Sequence, residues 1–495
     1  MRIARMILAI IAGAIVYAGF TPQRWYLAIV GVALFVWSLE NSSRKLRMVN
    51  ALAFAFALYA PLVSWVDIIG WNAEVFLTAL CVLPWLLVAV YQPHNSLAVS
   101  AIRMASTVVL IEWVHSGIPW GGFPWGLLAY SQVDGPFALA SRLGGEVLVS
   151  AIVVLSGFAL YGVMRFRQWK PAAVMLCIGL GLVAFSHAQK TSDQSTVTVA
   201  VIQGNVPRLG LSDQEQAKRV FANHINQTHM LAHDIAAGKV ERPQLVVWPE
   251  NAADGDPINN RAMFNDVQQV VNELNIPVLI GAAVRDGDVG PYNSGILWLP
   301  FDGPNQRYEK VHLVPFGEYI PNQSALQDLV KHFGIDTNNY VPGSRTGLIT
   351  HGELTFGDVI CFEVAYGDHV AQSIINGAQF LTVQSNNATY ALTEQPTQQL
   401  QITRFRAIEH KRSIAVATTT GISGLINSQG AVLVRSQEMQ SARIVGRIDK
   451  NQSLELIDRW GSGWLLFIAF LFVILGQRKD SSWKSTGALN SALVA

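Results

Sequence analysis

The 495-residue chain predicts a two-part fold: a polytopic α-helical membrane domain of about eight spans, and a large α/β sandwich held outside the cytoplasm. Three observations predict it. Hydrophobic residues make up 51% of the chain and charged residues only 14%, with a mean hydropathy of +0.30, too apolar for an ordinary soluble protein of this length. The excess is concentrated at the two ends, in runs near bilayer length. Between them the pattern changes to alternating strand-like and helix-like segments.

Seven apolar runs precede residue 190, at roughly 6–20, 25–39, 49–66, 75–91, 97–115, 147–164 and 171–187, and an eighth covers roughly 460–476. They divide the chain into a membrane domain (1–190), a catalytic-type α/β domain (191–459) and a terminal span with its tail (460–495). The first run starts basic, as a signal peptide does, yet no small-residue cleavage site follows and six more runs do; it is read as a retained helix. The fifth carries Arg103 and Glu112, which are costly in lipid unless they face other helices or water. A buried structural ion pair and a role in substrate passage are both open readings.

Basic residues in short loops are retained on the cytoplasmic side. With the N-terminus inside, the inner segments hold Arg2, Arg5, Arg44, Lys45, Arg47, Arg165, Arg167, Lys170, Arg478, Lys479 and Lys484, whereas the outer short loops hold Arg24 and Arg142. This asymmetry predicts a multi-pass membrane protein with both termini cytoplasmic and residues 191–459 outside. The net charge of +1, with no cluster of arginines and aromatics, argues against a nucleic-acid partner.

Within the α/β domain, strand-like runs recur as VTVAVIQGNV, QLVVWPEN, IPVLIGAAV, NSGILWLP, YEKVHLVPF, FGDVICFE, AQFLTVQSN, SIAVATTTG and ARIVGRID. Helical patterns lie between several of them, over 213–237, 261–274, 366–376 and 396–412. Of three cysteines, Cys81 and Cys177 fall inside predicted spans, leaving Cys361 as the one thiol of the α/β domain. Outside the cytoplasm cysteines usually pair, so this one is either reactive or a buried structural residue.

Polar residues gather where the apolar runs finish: Glu250 ends VVWPE, Lys310 and Glu318 punctuate EKVHLVPFGE, and Cys361 ends VIC. A thiol attacks well only as thiolate, so Cys361 needs a base and a nearby cation. Glu250 suits the first need; Lys310 suits the second and can stabilise an oxyanion on an attacked carbonyl.

WPE, EKVHLVPFGE and CFE, in that order and each at a strand terminus, resemble the nitrilase (carbon–nitrogen hydrolase) superfamily. With seven spans before and one after, and with GFPWGLLAYSQ and IQGNVP in place, the chain resembles that superfamily's membrane-bound acyl-transfer branch, the apolipoprotein N-acyltransferases. The resemblance implies a nitrilase-like α-β-β-α sandwich with Glu250 as base, Lys310 as oxyanion stabiliser and Cys361 as nucleophile. It also implies that Glu318 orients the triad and that Glu363 is the acidic residue after the nucleophile. Phe362 stands where the family often has tyrosine, Asn387 and Thr389 where many members have aspartate and tryptophan, and RLGLSDQE lacks a tryptophan usual after the QGNVP motif. The implied reaction takes an acyl chain from a membrane phospholipid, through a cysteine thioester, to the N-terminal amine of an S-diacylglyceryl-cysteine apolipoprotein, with no metal or organic cofactor. The implied location is a bacterial inner membrane.

A lipid donor also has a physical rationale, because pulling a sixteen-carbon chain from a bilayer costs about 12 kcal/mol at ~0.8 kcal/mol per methylene. Trp120, Trp125 and Tyr130 could line a route for acyl chains or form an ordinary interfacial aromatic belt. His224, His229 and His233 read as a solvated helix face rather than a metal site, and RFRAIEHKR as an ion-paired helix. Two rival readings keep the same residues: a membrane-tethered amidase or nitrilase that uses water as acceptor, and an inactive scaffold.

Overall fold

Runs rich in alanine, leucine and valine form α1 (Arg2–Ala18), α2 (Tyr26–Leu39), α3 (Arg44–Leu62), α4 (Trp71–Val82), α5 (Leu97–Gly117), α6 (Ser141–Phe166) and α7 (Lys170–Ala188). The structure is a computed structural model that describes residues 2–188, 195–206, 213–322 and 339–477. Arg478, Lys479, Lys484 and the 207–212 part of the QGNVP region lie outside the described residues. The chain forms two units, one of Met1–Ser64, Trp71–Ala188 and Trp460–Ala495, the other of Trp65–Gly70 and Gln189–Arg459.

In the first unit α1 packs on α2 and α3, α2 on α6, and α5 on α6. Among the described residues, three helical stretches are long and apolar enough to cross a membrane: Trp71–Val90, Leu97–Gly117 and Pro136–Phe166. Tyr26–Leu39, Lys170–Phe185 and Gly463–Gly476 are apolar but shorter. Helix length therefore supports fewer spans than the eight read from the sequence. The reasons are local: α1 and α3 open on arginines, and α3 stops at Leu62, just after Pro61, short of the expected 66. Arg103 and Glu112 are no ion pair with each other, since nine positions along α5 separate them by about 13.5 Å. Arg103 donates to the Gln92 carbonyl at 3.3 Å, and Glu112 accepts from the Leu128 N–H at 2.7 Å. Trp125 and Tyr130 are buried within this unit, Trp125 stacked on Phe123, while Trp120 stays partly exposed.

The second unit is a four-layer sandwich. Its first sheet runs β12-β1-β2-β3-β4-β5, from β1 (Thr196–Gln203), β2 (Leu245–Val247), β3 (Val278–Arg285), β4 (Pro291–Leu299), β5 (Gly303–Glu309) and β12 (Ala442–Asp449). The second runs β11-β10-β9-β8-β7-β6, from β6 (Leu348–His351), β7 (Leu354–Ile360), β8 (Phe380–Ser385), β9 (Ile414–Thr418), β10 (Gly424–Ile426) and β11 (Val432–Arg435). The period of two along β1 explains the layering. Val197, Val199 and Val201 enter the core between the sheets, with Leu245, Val247, Phe356 and Phe380. Ala200 and Ile202 face the other way, onto α8 (Asp213–Ala236) and α9 (Arg261–Leu274) through Phe221, Leu231, Val267 and Val270. Strands covered on both faces must be apolar throughout, which is why these runs show little alternation. On the outer face of the second sheet lie α10 (Gly367–Ile375) and α11 (Gln395–Glu409). The unit closes with the short α12 (Leu456–Trp460); α13 (Gly463–Gln477) then packs on α5 in the first unit.

Helix ends follow their caps. Asn260 accepts from the N–H groups of Ala262 and Met263 at the start of α9, and Asn275, at φ +52°, ends it. The strand expected over YEKVHLVPF is displaced: β5 finishes at Glu309, and the N–H groups of Val311, His312 and Val314 are bound by the carboxylates of Glu363 and Glu318 rather than by a neighbouring strand.

Candidate active site

Three strand ends deliver the central residues. Two residues, Trp248 and Pro249, separate the end of β2 from Glu250, and Gly281 on β3 lets that bend lie close. A Cβ on Gly281 would sit 2.2 Å from the Pro249 carbonyl oxygen. Lys310 follows β5 directly, its N–H bonded to the Asn293 carbonyl at 2.8 Å. Cys361 follows β7 and opens a single 3-10 turn at φ +57°, a left-handed backbone that costs a non-glycine residue about 1–3 kcal/mol. Such strain at a strand end projects the side chain out of the sheet's regular direction.

The structure brings Glu250, Lys310, Glu318 and Cys361 together. Lys310 Nζ lies 2.9 Å from Glu250 Oε1 and 3.0 Å from Glu318 Oε2. Asn293 Nδ2 donates to both carboxylates at 2.7 Å, and the Asn386 N–H donates to Glu250 Oε2 at 2.8 Å. Cys361 is half-buried, and its thiol lies within electrostatic reach of Glu250, Lys310 and Glu318. One ammonium thus faces two carboxylates. Burial alone would discharge Lys310, but Glu250 and Glu318 override it and hold the ammonium protonated well above lysine's ordinary range. For Cys361 the balance runs the other way: burial first, then Glu250, push the thiol up to about 12, with Lys310 pulling only partly against them. The two carboxylates already claim that cation, which leaves removal of the thiol proton to a base.

Glu363 is fully buried and accepts from the N–H of Ile360 at 2.8 Å, Val311 at 2.6 Å and His312 at 3.0 Å, and from Tyr308 Oη at 2.8 Å. It joins the turn after Cys361 to the loop after Lys310. Burial raises its pKa, opposed by those backbone donors. Phe362 is buried and meets Tyr366 edge to face at 5.3 Å. Asn387 is buried and donates to Gln395 and Gln399, while Thr389 is exposed. The far end of the nucleophile turn is gripped by Arg406, whose guanidinium donates to the carbonyls of Val364 at 3.0 Å and Ala365 at 2.7 Å.

Asn293, Asn386, Tyr308 and Arg406 were not singled out by sequence reasoning. Asn293 had a signal, an amide opening an otherwise apolar strand, NSGILWL. Arg406 lay in RFRAIEHKR, read as an ion-paired helix; Arg406, Glu409 and His410 are indeed ion-paired, with Asp458 completing the group, but they are fully buried. His224, expected on a solvated face, is also buried and accepts the Gly204 N–H at 3.1 Å; His229 pairs with Glu273 at 2.7 Å. Among the described residues, no cluster of three or more His, Cys, Asp or Glu side chains is arranged to hold a metal ion.

Matches to known proteins cover both units. The profile for the apolipoprotein N-acyltransferase N-terminal domain matches residues 12–159, and the profile for carbon-nitrogen hydrolase matches residues 198–456. An apolipoprotein N-acyltransferase of Mycolicibacterium smegmatis is 33% identical over 93% of this chain and 82% of its own length. Proteins of the same name from Photobacterium profundum and Haemophilus influenzae are 28% and 25% identical, over 98% and 95% of this chain and 97% and 94% of theirs. With a nitrilase-like sandwich and relatives that run through both units, this chain belongs to the apolipoprotein N-acyltransferase family of the carbon–nitrogen hydrolases.

Proposed function

We propose that the chain transfers an acyl group from a membrane phospholipid to the N-terminal amine of an S-diacylglyceryl-cysteine apolipoprotein, through a thioester on Cys361. The observation that carries the reading is the convergence of Cys361, Glu250 and Lys310 at three strand ends, in a chain whose family resemblance covers both units. Cys361 Sγ attacks the ester carbonyl and gives its proton to Glu250 as the C–S bond forms. Lys310 faces the oxygen on which negative charge builds. When the intermediate collapses, the ester C–O bond breaks and Glu250 returns the proton to the leaving alcohol, releasing a lysophospholipid. In the second half the acceptor amine attacks the thioester; Glu250 takes a proton from nitrogen and delivers it to the departing sulfur. Glu318 and Asn293 hold the Glu250–Lys310 pair in place, and Glu363 holds the turn that carries Cys361.

The site lies outside the cytoplasmic membrane with both chain termini inside, as the distribution of basic residues supports. The apolar helices anchor the chain in the bilayer, where the donor's acyl chain already lies. Water and amine acceptors are separated by giving the purified full-length protein labelled phosphatidylethanolamine and a diacylated peptide with a free N-terminal amine, or the same peptide N-acetylated. The expected result is one labelled amide per lysophospholipid with the free amine and none with the blocked peptide. Label appearing as free fatty acid at the same rate with either peptide would contradict the transferase and favour a hydrolase.

A further inference from the structure

A buried carboxyl that the reaction does not use lies three residues before the nucleophile. Asp358, on β7, is fully buried; its Oδ1 accepts from Thr382 Oγ1 at 2.8 Å, and its Oδ2 has no donor. Gln384, on β8, is also fully buried; its Nε2 donates to the Trp248 carbonyl at 2.5 Å, and its Oε1 has no donor. The two orphaned oxygens converge on one point over Gly295 of β4. A Cβ there would lie 2.0 Å from Asp358 Oδ2 and 2.6 Å from Gln384 Oε1. Flipping the Gln384 amide does not resolve the conflict, because it would set Oε1 against the Trp248 carbonyl. Two buried acceptors gathered at one point are both satisfied by a single proton placed between them.

We propose that Asp358 is a positioning residue, held as the neutral acid, whose Oδ2–H donates to Gln384 Oε1 and so ties the strand end bearing Cys361 to the strand end bearing Glu250. The chain of bonds runs from Thr382 through Asp358 and Gln384 to the Trp248 carbonyl, two residues before Glu250. It rests on the reading of Cys361 and Glu250 as nucleophile and base. Burial first, and then the charge of Glu363, push the Asp358 carboxyl up to about 8, against the Thr382 hydrogen bond. The titratable groups around it are Glu363 on the following turn and Tyr308 on β5. β8 presents the uncharged Thr382 and Gln384, β4 presents Gly295, and on β6 His351 pairs with Leu354 at the opposite end of the ladder.

The test uses the full-length protein in detergent and compares wild type with Asp358→Asn, whose amide reproduces the donor and acceptor of the neutral acid but cannot ionise. Cys361 is alkylated with iodoacetamide, which requires no acyl donor, so a failure of acyl transfer leaves this test intact. At pH 7 the Asn variant should alkylate within about twofold of wild type. Above pH 8 the wild-type rate should fall at least threefold relative to the variant, as Asp358 ionises and the two oxygens repel. The infrared difference spectrum at pH 6.5 should show the carbonyl stretch of a protonated carboxyl in wild type, absent from the variant and lost above pH 8. A folded-state pKa above the unfolded one also means that wild type loses thermal stability relative to the variant as pH rises from about 4 to about 8. An Asn variant that fails to fold or loses tenfold in alkylation at pH 7, a rate ratio that stays flat to pH 9, or the absence of the infrared band would each overturn the proposal.

Discussion

A thiol that keeps its proton up to about pH 12 reacts slowly unless a base removes that proton during attack, so in the proposed reaction the contact between Glu250 and Cys361 decides the rate. Replacing Glu250 by glutamine keeps the shape but offers no proton acceptor; thioester formation should slow strongly while folding persists. Lys310→Ala should cost about 10²–10³ in turnover, the usual loss when an oxyanion donor is removed. The same variant releases Glu250 and Glu318 from their shared cation, so thermal melting must be measured beside turnover. Near-normal turnover would refute the assigned role. The raised thiol pKa makes its own prediction. Alkylation of Cys361 in the Asp358→Asn variant should keep climbing from pH 7 to 9.5, with no plateau near the ordinary cysteine value of about 8.5. A plateau at that value would show that Lys310 offsets burial and the two carboxylates together.

At the scale of elements, the nucleophile turn is held at both ends, by Glu363 at its start and by Arg406 at its finish. Arg406 belongs to a buried chain in which Glu409 lies beside both Arg406 and His410, and His410 Nδ1 lies 2.7 Å from Asp458. Burial would discharge His410, but Glu409 and Asp458 override it and push its pKa up to about 9. Its stabilising contribution is therefore complete below about pH 6.5 and lost as pH rises through about 9. His410→Gln should remove that alkaline loss from a melting curve taken across pH 6 to 10; an unchanged slope would place the titration elsewhere. Arg406→Ala, which leaves buried Glu409 with His410 as its remaining cation and frees the carbonyls of Val364 and Ala365, should destabilise the protein by about 3–5 kcal/mol in denaturant unfolding. These elements also show where sequence reading stops. Strands buried on both faces announce themselves as apolar runs, and helix α9 was legible from its period. Burial of RFRAIEHKR was not legible, because its partners Val364, Ala365 and Asp458 are supplied by distant segments. The same holds for Lys310, whose strand ends early because a carboxylate more than fifty residues away takes the backbone donors that follow it.

For the whole molecule, the family resemblance covers both units, and the basic-residue asymmetry supports the proposed placement of the sandwich outside the cytoplasm. The placement is tested with a single cysteine at the exposed Lys218, in cells whose outer barrier has been permeabilised, using a membrane-impermeant thiol reagent. Labelling before the inner membrane is broken is expected; labelling only afterwards would reverse the topology. The most direct measurement of the central claim is the acyl-enzyme itself. Full-length protein is incubated with acyl-labelled phosphatidylethanolamine and no acceptor, then examined by intact mass before and after neutral hydroxylamine, beside Cys361→Ala. The account predicts a single labelled acyl group on wild type, removed by hydroxylamine, discharged by a diacylated peptide with a free amine and absent from Cys361→Ala. Acyl transfer that survives in Cys361→Ala, or a label that water discharges as fast as the amine does, would contradict it.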